Sequence, residues 1–299
     1  MKNKTVFFTH TIAVYTLFIL GNAIIDLPQN NANVFSFAGY LTSIVIGFII
    51  LLPLLFFVDK ISNTKNQSRN NIIKILLILL LISAALFSLW CAADVFKSFV
   101  NFAFAVMLPD MPRLFIILLF LFICIYFLFQ RQENILKFCL LSFWFVLIVT
   151  VFFFILAVDR YNLRNIFIFK LPDLKTFLKQ TKPYIMNPAS TMILLPLYNM
   201  FVFKDRCVKA SLTGTVSGFI ILGICILNSI LLFGADLSGQ LGYPYISAIS
   251  TISIGRLFTR LDEFAYLLFF ITCTIKITVC GYVAFNCLKR VNTISKEKN

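Results

Sequence analysis

Residues 264–288 read FAYLLFFITCTIKITVCGYVAFNCL, an apolar run whose one charge, Lys276, lies twelve residues from either end. A hydrocarbon core about 30 Å thick is crossed by ~20 residues at 1.5 Å each. The run is therefore read as a membrane-spanning helix, and its lysine is too deep to reach either interface. Such a charge faces the protein interior and is by default a candidate functional group. The alternative is a structural lysine neutralised by carbonyls or a carboxylate.

Working outward, similar runs recur along the chain. Eight spans are expected, at about 6–27, 37–58, 72–107, 113–129, 135–157, 183–203, 210–233 and 264–288. Composition agrees: 60% of residues are hydrophobic and 13% charged, about half the charge of an average soluble domain. The fold class expected is all-α, a polytopic helical membrane protein forming one permease-like domain over 1–299. The third span is too long for a simple crossing, so its later part tilts or emerges beyond the bilayer. The first span, behind Lys2 and Lys4, is too long for a signal peptide and has no clear cleavage site.

Eight spans return the chain to its starting side. With the N-terminus inside, the inner segments hold fifteen Lys and Arg against nine outside. Six of those nine lie in one loop, 160–182. Short loops weigh most, so both termini are expected in the cytoplasm. The net charge of +14 is spread over these connecting segments. A contiguous basic face on a soluble domain, which nucleic-acid binding would require, is not seen. Eight cysteines form no CxxC pair, and His10 is the sole histidine. No metal site, disulfide or cofactor is therefore expected. No nucleophile–base constellation suggests an enzyme.

Two spans are poor continuous helices. The first contains ILGNAIIDLP (19–28), with Gly21-Asn22 in its second half. The sixth contains KPYIMNPASTMILLPLYN (182–199), where Pro188 removes a donor and pushes Asn187 out of helical geometry. Ala189, Ser190 and Thr191 then restart the helix with free amides. Kinks of this kind are common in membranes and are repaired by neighbours. Interruptions at corresponding places in two halves of a chain are nevertheless the best sequence pointer to a transporter-type site. Asp94 and Lys97, three apart, are expected to neutralise each other near an interface. Asp26 is expected at a wetted helix end.

One further stretch, YPYISAISTISIGRLFTRLDEFAYLL (243–268), is too polar to cross a bilayer. Ile246, Ile249, Ile252, Leu257 and Leu261 recur at near-helical spacing. An amphipathic or re-entrant helix over 244–260 is expected, with Arg260 and Glu263 able to pair at its end.

The ordered elements Tyr243-Pro244, Ile252-Ser253-Ile254-Gly255, Arg260-Leu261-Asp262-Glu263 and Ile275-Lys276-Ile277 resemble the signature of spore germination permeases. These are the B subunits of bacterial germinant receptors, in the amino acid–polyamine–organocation superfamily. LGNAIIDLP, MLPDMPRLFIIL and MILLPLYN extend the resemblance over nearly the whole chain. It implies the inverted five-helix-repeat transporter fold, here without the last two of ten helices. It also implies that 244–260 caps a ligand vestibule, and that Gly21, Asn22, Asn187, Ser190 and Lys276 contact the ligand. The ligand implied is a small nutrient, commonly an amino acid. The partners implied are the receptor A and C subunits in the inner spore membrane. Where the family often has Gly-Glu in its sixth helix, this chain has Ala189-Ser190, so no role for that acid carries over. Two other functions fit the same residues: a proton-coupled amino-acid transporter, and a structural receptor subunit without ligand binding.

Overall fold

The computed structural model describes residues 2–24, 71–167, 204–252 and 261–296. Every regular element among them is helical: α1 (Lys2–Leu20), α2 (Asn71–Phe102), α3 (Arg113–Leu128), α4 (Gln132–Leu156), α5 (Arg164–Phe167), α6 (Lys204–Gln240), α7 (Pro244–Ser250) and α8 (Asp262–Lys296). Four stretches are long and apolar enough to cross a membrane: Ile78–Met107, Gln132–Leu156, Lys209–Gly234 and Asp262–Thr293. Phe8–Leu20 and Arg113–Leu128 are shorter apolar helices. The expected spans at 37–58 and 183–203 lie outside the described residues. The chain is a helical membrane protein.

The third expected span is continuous. After α2 a π-helical turn, Ala103–Met107, carries the helix on, with the Leu108 N–H donating to the Ala103 carbonyl at 2.8 Å. The apolar stretch Ile78–Met107 has 30 residues, about 45 Å of helix. It therefore outruns the hydrocarbon and must project from it or tilt. Asp94 and Lys97 do not neutralise each other: both are exposed, and neither makes an ion pair with a described residue. Three residues along a helix bring two side chains near, but here each turns outward from the α2 seam.

The helices pack in two groups. In one, α1 lies against α6 and α4, which also touch each other. In the other, α2 lies along α8, and α3 packs on both. The groups meet where α8 touches α1 and α4. Apolar side chains gain no hydrophobic energy by leaving lipid for one another, so close packing and polar bonds must hold each group. The first group uses small residues. Gly214 and Gly218 sit four apart on α6, and a Cβ on Gly214 would come within 2.7 Å of Tyr15 Cβ and 2.8 Å of the Ile12 carbonyl. Their bareness brings the α1 and α6 backbones together. The Thr16 hydroxyl then lies 3.0 Å from the Gly214 carbonyl and 2.5 Å from Ser217 Oγ.

Rings hold the second group. Phe99 of α2 lies 3.9 Å from Phe120 of α3 and 5.7 Å from Phe270 of α8, between ring centroids. Phe102 meets Phe269 edge-on at 5.0 Å. Such pairs contribute about 0.5–1.5 kcal/mol each beyond simple burial.

Polar contacts tie the connections between helices. α6 bends at Gly234, whose φ of 79° and ψ of 165° suit only glycine. The Leu231 carbonyl, left free by the bend, accepts from the Asn162 N–H and from Asn165 Nδ2, each at 3.1 Å. The Tyr161 hydroxyl lies 2.8 Å from the Phe154 carbonyl and 3.0 Å from Asn228 Oδ1. Burial pushes its phenol above the ordinary range, so it remains a donor at any physiological pH. Pro244 opens α7 at its first turn, where a missing N–H costs nothing. α7 packs against α6 and α8, and Tyr245, Ile246, Ala248 and Ile249 are buried. The Thr251 carbonyl beyond it accepts from the Arg160 guanidinium. Of the expected 244–260 helix, positions 253–260 lie outside the described residues.

Candidate functional site

α1 stops at Leu20, and Gly21-Asn22 forms a turn before two more helical residues, Ala23 and Ile24. The Gly21 N–H still closes onto the Leu17 carbonyl at 2.9 Å. The interruption expected from two weak helix formers thus falls at Gly21-Asn22, and it faces α8.

Lys276 comes to this turn from α8. Its Nζ donates to Asn22 Oδ1 at 2.8 Å and lies 5.1 Å from the centroid of the Phe18 ring. Lys276 is 2% exposed and Asn22 9%. Glycine at 21 is required by this approach, because a Cβ there would overlap Lys276 Cδ. The lysine stem occupies the space a side chain would need. One turn before Lys276, Thr272 Oγ1 lies 3.2 Å from the Gly21 carbonyl and 3.0 Å from the Phe269 carbonyl. The turn is thus gripped by α8 at its carbonyl and at its side chain.

An ammonium has three donors, and Asn22 takes one. Among the described residues no carboxylate pairs with Lys276; an amide oxygen and an aromatic face accept it instead. Cation–π attraction adds roughly 0.5–2 kcal/mol, and a hydrogen bond to a charged group about 1.5–3 kcal/mol. Neither of these two partners carries a charge. A buried cation beside an unwound helix end is suited to an anionic group such as a carboxylate.

Of the five expected site residues, the structure brings Gly21, Asn22 and Lys276 together. Asn187 and Ser190 lie outside the described residues. Phe18 and Thr272 join the cluster without having been anticipated. Their signal was spacing: Phe18 precedes Asn22 by four residues, and Thr272 precedes Lys276 by four, so each shares a helix face with its partner. The Gly214–Gly218 contact also went unread, although a glycine pair four apart in an apolar run is a recognisable packing motif.

Comparison with known families gives one match. The model of a family described as spore germination protein covers residues 5–299. No curated protein and no solved structure matches the chain.

Proposed function

The chain belongs to the spore germination protein family, and on that premise we propose that it is the nutrient-sensing subunit of a germinant receptor. Membership gives it a role in germination and a permease-like membrane character. Beyond that, the reading is that a small nutrient, an amino acid, binds at the Gly21-Asn22 turn. Its carboxylate meets Lys276, and Asn187 and Ser190 complete the pocket from the sixth span. Receptor A and C subunits in the inner spore membrane read the resulting change. Both termini face the cytoplasm.

The observation that supports this reading is the Lys276–Asn22 bond, because it joins the two helix groups. Asn22 follows α1, which packs with α6 and α4, whereas Lys276 belongs to the group of α2, α3 and α8. A ligand shifts such an arrangement only by its difference in affinity for two states. A carboxylate that competes with Asn22 for the ammonium supplies that difference directly.

Spores whose only receptor for the nutrient carries Asn22→Leu or Asn187→Leu test the site. The expected result is a higher nutrient concentration for half-maximal germination, with normal amounts of the protein in the membrane. A normal response from both variants places the site elsewhere. The two helix groups equally favour a proton-coupled amino-acid transporter, since alternating access rocks one group against another. Counterflow of labelled amino acids in proteoliposomes distinguishes the two: saturable exchange by this chain alone favours transport, and its absence favours sensing.

A further inference from the structure

A second feature lies along the seam between α2 and α8. Phe102 meets Tyr266 and Phe269 there, while Phe99 meets Phe269 and Phe270. Rising numbers on α2 therefore face falling numbers on α8, and the helices run antiparallel. Eleven residues back from Phe102 along α2 is Cys91, and eleven residues on from Phe269 along α8 is Cys280. Eleven residues make very nearly three helical turns. Each cysteine therefore lies on the same face as its phenylalanine, at the same level of the seam. The register of the ring contacts thus sets the two thiols opposite each other across the seam, and both are free and buried.

We propose that Cys91 and Cys280 form a cross-helix dithiol site that a lipid-soluble two-electron oxidant closes into a disulfide, pinning α2 to α8 one turn from Lys276. A disulfide requires Cα atoms within about 7 Å of each other, a range that facing positions reach on helices whose axes lie about 8–10 Å apart, since each Cα stands about 2.3 Å from its axis. The sequence around Cys91 permits that approach. Ala84, Ala85, Ser88 and Ala92 are small, and small residues bring membrane helices together. Access is through lipid: Leu89 and Trp90, next to Cys91, are exposed on the outer flank of α2.

In the reaction two S–H bonds break and one S–S bond forms. The two electrons and two protons pass to the oxidant, an azo compound becoming a hydrazine. One thiolate attacks the oxidant, and the second thiol displaces the reduced product from the first sulfur. Lys276 precedes Cys280 by four residues, one helical turn along the same face of α8. The bond therefore forms in the wall of the lysine site, and its formation does not depend on the chain binding a nutrient.

The test uses the purified full chain in lipid nanodiscs, treated with the azo oxidant diamide and then alkylated with N-ethylmaleimide. Peptide mass spectrometry should show a Cys91–Cys280 cross-linked peptide, lighter by two hydrogens and free of maleimide at both positions. A reducing agent should restore alkylation. Cys91→Ser and Cys280→Ser should each abolish that peptide, while Cys139→Ser leaves it. Maleimide on both Cys91 and Cys280 after oxidation, or their pairing with other cysteines, would overturn the proposal. The wild-type map decides this even if a serine variant fails to fold.

Discussion

Replacing Asn22 with leucine tests the Lys276 site most sharply, because the shape is nearly kept and only the acceptor is lost. In the native chain Nζ has Asn22 Oδ1 at 2.8 Å and the Phe18 face at 5.1 Å. Removing the amide leaves the buried ammonium with, among the described residues, the ring alone. Loss of a hydrogen bond to a charged group costs about 1.5–3 kcal/mol. An uncompensated buried charge raises the figure toward 3–5 kcal/mol. Membrane hydrogen bonds between neutral partners are weaker, near 0.6 kcal/mol on average, so the charge is what enlarges the effect. In the Lys276→Met background the acceptor has no cation to serve, and Asn22→Leu should be nearly neutral. A double-mutant cycle on reversible unfolding in mixed micelles should therefore give a coupling of the same size, roughly 1.5–5 kcal/mol. Additivity within about 0.5 kcal/mol would refute the claim that this bond joins the two helix groups.

Three further outcomes are expected in the same unfolding assay. Gly21→Ala places a Cβ on Lys276 Cδ and should destabilise by about 1–3 kcal/mol; an unchanged midpoint would contradict the close approach. Gly214→Val forces a branched side chain against Tyr15 and the Ile12 carbonyl, so it should cost at least as much, about 1–3 kcal/mol, and also raise labelling of an added cysteine on α1. Thr272→Val removes the hydroxyl 3.2 Å from the Gly21 carbonyl while keeping the shape, and should cost about 1 kcal/mol; a stabilised variant would show that the bond is not formed.

The membrane class was legible because apolar runs are a strong signal: lipid leaves a backbone few alternatives to helix. The break in the first span was equally legible, since Gly21 and Asn22 are both weak helix formers inside an otherwise strong helix. Lys276 stood out because a charge far from either interface is rare. What the sequence could not supply was pairing. Nothing at Asn22 says that its oxygen meets a lysine 254 positions away, because such a contact depends on which helices pack and in what register. The same limit hid Phe18 and Thr272, whose types are ordinary in membrane helices and acquire meaning only beside Lys276. Asp94 and Lys97 show the converse. Their spacing permits a pair, but rotation of α2 is fixed by its aromatic seam with α8, and both side chains are left facing outward.

The central claim is that a small amino acid is recognised at the Asn22–Lys276 turn, and equilibrium binding tests it most directly. Labelled amino acids would be titrated against the purified chain in nanodiscs, wild type beside Lys276→Met, with helicity and monodispersity checked for both. Saturable binding of at least one amino acid to the wild type, lost in Lys276→Met, is the predicted result. Binding that persists unchanged in the variant, or no binding to the well-folded wild type, would contradict the account.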